Sequence, residues 1–264
     1  MPRIYTCANQ KGGVGKTTCT INLGAYLGYY GQRVLVVDLD PQANATSSLG
    51  IDKRTVRQGT YEVLIGSATL GPHLILHNPR LKMSLLPASP ALAGAEVELI
   101  ELPAREQRLR QALAPILDRY DYVLIDCPPS LSLLTVNGLI AGQHGVLIPV
   151  QCEYLALEGL GQLAGTIHRV QAGLMPELAI RGVIMTMYDG RTHLSNDVVA
   201  EVRRVFPNQV FEHVIPRSIR LAEAPSHGLP ISAYAPDSGA AQAFAGLARE
   251  ILEQDGIHIP ELKE

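Results

Sequence analysis

The segment that most constrains this chain is Asn9-Gln10-Lys11-Gly12-Gly13-Val14-Gly15-Lys16-Thr17-Thr18, which lies between a short apolar run at 3–8 and a helix-period stretch at 16–30. A glycine-rich turn in that setting points successive backbone N–H groups into a concave anion site at the positive end of a helix dipole. Phosphates belong there. Lys16 is expected to reach the β- and γ-phosphates of a nucleotide, and the Thr17 hydroxyl to ligate Mg²⁺. The general pattern G-x-x-x-x-G-K-[ST] asks for glycine five residues before Gly15. Gln10 stands at that position, and Lys11-Gly12-Gly13 compensates for it.

A loop of this kind needs a parallel sheet behind it. Apolar runs at 33–38, 122–126, 145–150 and 180–187 repeat the pattern of the first. Helical periods at 16–30, 103–120, 131–141, 156–172, 194–205 and 239–255 fall between and after them. The alternation predicts an α/β fold: a P-loop NTPase in a single domain over 1–264, its mostly parallel, twisted sheet flanked by helices on both faces. The pattern weakens over 52–95, a more variable segment in which LHNPRLKMSLLPAS is expected to supply one or two edge strands.

Two further runs carry acids at their ends. VLVVDLDPQAN presents Asp38 and Asp40, and YVLIDCPPS presents Asp126. In a parallel sheet these ends open on the same edge as the phosphate loop. Carboxylates and phosphates gathered at one edge need a cation between them, and Mg²⁺, which keeps several waters, suits the oxygen ligands. Asp126 would hold it through a water. A cap or turn role stays open for Asp38 and for Asp40. For Asp126 it is weaker, because Pro128 and Pro129 follow.

With VDLDPQAN, LIDCPPSL and IPRSIRLAEAPSHGLPI, the deviant Walker A sequence KGGVGKTT at 11–18 resembles the ParA/MinD superfamily, most closely chromosomal ParA proteins of the Soj type, from Arg3 to about Glu250. The resemblance implies an ATPase that binds ATP and Mg²⁺ and closes into a nucleotide-sandwich homodimer. Lys11 would then reach the partner's phosphates, and Gly12, Gly13, Val14, Gly15, Lys16, Thr17 and Thr18 would hold its own. By the same resemblance Asp40 is the catalytic aspartate that orients water and possesses a second tie to the metal through water, and Asp126 is the Walker B-type residue. Pro216 and Ser218 would face the adenine, although many relatives have Asn where Ser218 stands. Basic residues at positions matching Arg191, Arg217 and Arg220 contact double-stranded DNA without sequence preference. Turnover would be slow, and a ParB-type centromere-binding partner would stimulate it, releasing the protein from the nucleoid of the cytoplasm.

Composition bears on that expectation. Lysine and arginine number 22 against 25 acidic residues, a net charge of −3, so bulk positive charge cannot drive nucleic-acid binding and a local patch must. Cys7, Cys19, Cys127 and Cys152 are widely spaced and suit neither a zinc site nor a disulfide framework, and they read as small apolar residues. No signal peptide or membrane-spanning run is evident. The competing reading, a MinD-like membrane-associated ATPase, would call for a basic amphipathic C-terminal helix, whereas REILEQDGIHIPELKE is acid-rich and holds Gly256 and Pro260. A nucleotide-binding switch without turnover is a further alternative. Glu153 lies on the nucleotide edge as a candidate for the dimer interface, and Tyr29-Tyr30 is expected to pack on the sheet.

Overall fold

In the run Val34-Leu35-Val36-Val37 the side chains alternate between two core clusters, Val34 and Val36 on one face of the sheet and Leu35 and Val37 on the other, all four buried. A strand that is apolar on both faces must be covered on both. A computed structural model describes residues 2–66, 69–154 and 156–259. In chain order its elements are β1 (Arg3–Cys7), α1 (Lys16–Tyr29), β2 (Val34–Asp38), α2 (Asn44–Ser48), α3 (Thr60–Ile65), β3 (Leu76–Asn78), β4 (Met83–Leu86), α4 (Leu92–Glu98), α5 (Arg108–Leu113), β5 (Tyr122–Asp126), α6 (Leu133–Ala141), β6 (Val146–Gln151), α7 (Ala156–Gly173), β7 (Ile180–Thr186), α8 (His193–Val205), α9 (Ile219–Glu223), α10 (Ile231–Tyr234) and α11 (Gly239–Gln254).

The strands lie in the order β3-β4-β2-β5-β1-β6-β7, and every neighbouring pair is parallel except β3 with β4. β1 is therefore central. The chain builds outward from it on one side through β2 and β4 and on the other through β6 and β7, which puts a topological switch point at its C-terminal end. Register completes the placement: Cys7 pairs with Asp126, and Asp126 pairs with Asp38. One face carries Leu64, Leu92, Leu109, Leu134, Leu163 and Val202 from α3 to α8, and the other carries α1 and α11 with Leu23, Leu27, Phe244 and Leu247. The end of α11 is clasped under the sheet. Tyr5 Oη donates to Asp255 at 2.6 and 2.8 Å, Tyr122 Oη donates at 2.8 Å, and the Arg181 guanidinium lies 3.2 Å away.

Three expectations change. The 103–120 period is not one helix: α5 is flanked by 3₁₀ turns at Arg105–Gln107 and Ala114–Arg119. Pro115 has no N–H to continue the α ladder, and Ala104 sits at φ 52°. Of the two strands in LHNPRLKMSLLPAS, β3 is an edge but β4 is interior, between β3 and β2. Tyr29 and Tyr30 part ways, only Tyr30 packing against the core on the α1 and α11 face of the sheet. Tyr29 is 61% exposed, and Tyr30 turns to α11, donating to the Ala245 carbonyl at 3.2 Å. All four cysteines are buried and free. Among the described residues no helix is long and apolar enough to cross a membrane, and Pro260 lies outside them.

Candidate nucleotide site

The phosphate loop leaves the end of β1. Gly13 and Gly15 take φ 75° and 93°, a region where a side chain would be strained. α1 then starts at Lys16 with no side-chain cap and no acid in its first turn, so its leading N–H groups remain for an outside anion. Two strands brace the loop. Asn9 Oδ1 accepts from the Lys11 N–H (3.0 Å) while its Nδ2 donates to the Pro149 carbonyl (2.7 Å), and Thr186 Oγ1 donates to the Val14 carbonyl (2.8 Å). Lys16 is only 7% exposed, its Nζ donating back to the Lys11 carbonyl at 3.2 Å. Lys11 leans outward, Nζ 3.3 Å from Glu153 Oε2 just beyond β6.

On the other side of the loop stand the acids. Thr17 Oγ1 donates to Asp126 Oδ2 at 2.7 Å. Asp38 Oδ2 accepts from the N–H and the hydroxyl of Thr46 (2.8 and 2.7 Å), and its Oδ1 accepts from the Asp40 N–H (3.2 Å). Thr46 Oγ1 in turn accepts from the Ala88 N–H at 2.9 Å, tying this turn to the segment after β4. Asp38 thus organises the turn that carries Asp40. Asp40 Oδ1 accepts from the Gln42 N–H at 2.8 Å, and its Oδ2 has no protein partner among the described residues. A turn role and an open carboxylate oxygen coexist in one side chain.

Burial raises both neighbouring acids. Asp126 is pushed up to about 8 by burial and then by the Asp38 charge, with the Thr17 hydrogen bond opposing. Asp38 rises to about 6 by burial, against the Thr46 and Asp40 hydrogen bonds. Two buried carboxylates this reluctant to ionise are the environment that a cation relieves. Among the described residues no three His, Cys, Asp or Glu side chains gather to hold a metal unaided. The donor set is instead one hydroxyl, Thr17, with Asp126 beside it, leaving positions for phosphate oxygens and waters, as Mg²⁺ prefers. The residues present fit that ion.

A cavity of about 230 Å³ adjoins the loop, lined by Gly15, Thr18, Met187, Pro216, Ser218 and Phe244 among others. The segment holding Pro216 and Ser218, nearly two hundred residues on, thus meets the phosphate loop. A more open depression of about 730 Å³ at the opposite edge, with Arg3, Arg33, Asp121 and His144, has no such loop beside it. Arg191 and Arg217 occupy neighbouring loops, and Arg220 lies at the start of α9 just beyond. The Arg217 N–H donates to the Tyr188 carbonyl at 2.9 Å, Tyr188 pairs with Pro216, and Arg191 follows in the turn after Tyr188. All three are exposed, and Arg217 also lines the cavity. Asn9, Thr46 and Thr186 escape sequence reasoning. Each acts on a residue distant in sequence or through its own main chain, and nothing in its local setting marks it.

A phosphate loop at the switch point of a parallel sheet, facing paired acids, defines a P-loop nucleotide-binding protein with a deviant Walker A motif. A family model described as an AAA domain matches residues 2–180. The chain is 51% identical to the sporulation initiation inhibitor protein Soj of Bacillus subtilis, over 95% of this chain and 98% of that one. It is 48% identical to the chromosome-partitioning ATPase Soj of Treponema pallidum, over 97% and 99%. Its fold matches a Mycobacterium smegmatis structure described as cobyrinic acid a,c-diamide synthase with bound ATP analog and magnesium, with TM-score 0.85, 38% identity and 100% of both chains covered. The chain belongs to this AAA-domain family and, with its Soj relatives, to the ParA/MinD superfamily of deviant Walker A ATPases.

Proposed function

We propose that this chain is a DNA-partitioning ATPase of the chromosomal ParA type, which binds ATP with Mg²⁺ and hydrolyses it to ADP and phosphate. The observation that carries the reading is the pair of buried carboxylates, Asp126 and Asp38, with the half-buried Thr17 bonded to Asp126, beside a loop whose Lys16 is itself buried. The Soj relatives named for partitioning are nearer in sequence (51 and 48%) than the synthase whose fold it shares (38%), so the partitioning role is the one taken over.

In this reading Lys16 and the main-chain N–H groups of 12–18 hold the phosphates, and Thr17 and Asp126 hold Mg²⁺. When bound, that ion neutralises charge on the phosphate oxygens. The free Oδ2 of Asp40 accepts a proton of the attacking water and fixes its direction, while the Asp38–Thr46 bonds keep the turn in place. Lys11 is drawn from Glu153 to the phosphates of a second copy, a cation supplied in trans as an arginine finger is. Pro216 and Ser218 take the base. The sandwich dimer places two sets of Arg191, Arg217 and Arg220 on one duplex, so weak phosphate contacts add, and affinity for non-specific double-stranded DNA follows ATP. A ParB-type partner would stimulate hydrolysis and reset the cycle, with the ATP form residing on the nucleoid.

Against a MinD-like membrane role stands the use of α11. Its Phe244, Leu247 and Ile251 are buried in the core, so among the described residues it offers no free apolar face to lipid. The deciding experiment is phosphate release with and without DNA, and with a ParB-type protein bound to its DNA site. Slow basal release that rises with both additions is expected. Nucleotide binding with no release under any of these conditions would instead support a switch without turnover.

A further inference from the structure

Two of the three arginines do not stand alone. Arg191 lies against Asp189 in a two-pronged contact, Nε to Oδ1 at 2.8 Å and Nη2 to Oδ2 at 2.7 Å, with its own N–H also donating to Oδ1 at 3.1 Å. Arg220 Nη1 reaches Glu223 Oε2 at 3.1 Å. Each acid has a second anchor, Asp189 through its main chain and Glu223 through its carboxylate. The Asp189 carbonyl accepts from the N–H and hydroxyl of Thr192 (3.0 and 2.9 Å), and Glu223 Oε2 also accepts from Tyr234 Oη at 3.0 Å. Arg217 has no side-chain hydrogen bond among the described residues, and its charge acts on Asp189.

Charge arithmetic gives these contacts a consequence. Three arginines less two carboxylates leave a patch of net +1 in each chain, and +2 when two chains are paired. A phosphate approaching Arg191 or Arg220 meets a guanidinium with some of its five donors already given to a carboxylate, Nε and Nη2 in Arg191 and Nη1 in Arg220. Exposed pairs of this kind are weak, so a phosphate can displace the acid, but the displaced acid then repels it. Arg191 is 88% exposed and Asp189 only 23%, so the base is presented outward with its partner beneath it.

We propose that Asp189 and Glu223 are built-in covers on the DNA-facing arginines, holding the duplex affinity of the ATP form below what Arg191, Arg217 and Arg220 alone would give. This rests on the DNA-binding reading above and adds its regulation. A patch at net +1 lets one chain leave the duplex readily, and affinity becomes appreciable only when pairing doubles the contacts. Asp189 stays ionised across the physiological range, its carboxyl held near about 2 by the Arg191 hydrogen bonds, so the cover is set by geometry and not by pH.

The test is duplex binding by the full chain with a non-hydrolysable ATP analogue and Mg²⁺, read by anisotropy on two unrelated labelled duplexes at 50 to 200 mM salt. Asp189→Asn keeps an acceptor for the Arg191 N–H, and Glu223→Gln keeps one for Tyr234, so each removes charge with little change of shape. Asp121→Asn removes the same charge from the Arg33 pair at the opposite edge of the sheet and serves as the control. Each phosphate contact is worth roughly threefold over this salt range, so two extra effective contacts per dimer should tighten binding at 50 mM, steepen the log–log salt slope by about 1.8 and make the loss of affinity between 50 and 200 mM about tenfold larger than in wild type. Asp121→Asn should do none of these. The cover is refuted if both variants, with wild-type melting and nucleotide binding, hold DNA no more tightly than wild type, or if Asp121→Asn tightens it equally. Wild type that binds the analogue but no duplex at 50 mM overturns the DNA-binding reading itself, and the cover with it.

Discussion

Thr46→Val tests the chain of hydrogen bonds behind the turn that carries Asp40. The side chain is fully buried, its hydroxyl giving a bond to the Asp38 carboxylate at 2.7 Å and receiving one from the Ala88 N–H at 2.9 Å. Valine keeps the shape and removes both. A hydrogen bond to a charged group is worth about 1.5–3 kcal/mol, and a buried N–H left without a partner costs about 1–3 kcal/mol. Asp38 retains the Thr46 and Asp40 N–H donors, so the sum is reduced to roughly 2–4 kcal/mol. For a chain of this size each kcal/mol moves Tm by roughly 2–4 °C, predicting a fall of roughly 4–16 °C by calorimetry. Turnover should fall more than nucleotide affinity, because the disturbed group is the turn carrying Asp40 and not the phosphate loop. Thr46→Ser should restore both. A Thr46→Val protein melting within about 2 °C of wild type with normal turnover would show that the Asp38–Thr46 link positions nothing.

Other consequences are as definite. Asp40→Ala should trap an ATP-bound dimer and Lys16→Ala should prevent nucleotide-dependent dimerisation, both read by light scattering; wild-type turnover in Asp40→Ala would remove that residue from its role. In chelator-treated, nucleotide-free protein, Asp126 is raised from the ordinary carboxylate range to about 8, so the folded state binds the extra proton. Its contribution to stability is present below about pH 4 and lost as pH rises through about 8. Asp126→Asn should therefore flatten the decline of stability between pH 5 and 8 in urea titrations, and an unchanged decline would contradict the assignment. Gly138→Ala on α6 would drive a methyl group into Cys127 Sγ and against Leu39 Cδ2 at 3.1 Å. Overpacking of this kind costs about 1–3 kcal/mol, measurable as a lower urea midpoint without loss of nucleotide binding.

What the sequence discloses is set by how local each cause is. The phosphate loop, the acids at the ends of β2 and β5 and the parallel sheet all rest on neighbouring residues: glycines that allow a turn, apolar runs that allow two buried faces. α2, α3 and α4 do not announce themselves, since they are only 5 to 7 residues long and hold their shape by packing. The break at 103–120 needed Pro115 to be weighed above a favourable period. Asn9, Thr46 and Thr186 act on Pro149, Ala88 and Val14, partners that no spacing reveals. The acids proposed to cover Arg191 and Arg220 stand only two and three positions away in sequence. Their meaning depended on a shared surface, which only the pairing of Tyr188 with Pro216 creates.

The central position of β1 also governs when the molecule can come into being. Its neighbours β5 and β6 are made much later, and Tyr5 waits for Asp255, 250 positions further on. At about 5–20 residues per second a ribosome needs on the order of tens of seconds to cover that distance. Until β6 has been made, the nascent chain carries the phosphate-binding sequence without the two strands that flank β1. A copy that stops short of β5 and β6 therefore lacks both Asp126 and the strands that set the loop's position.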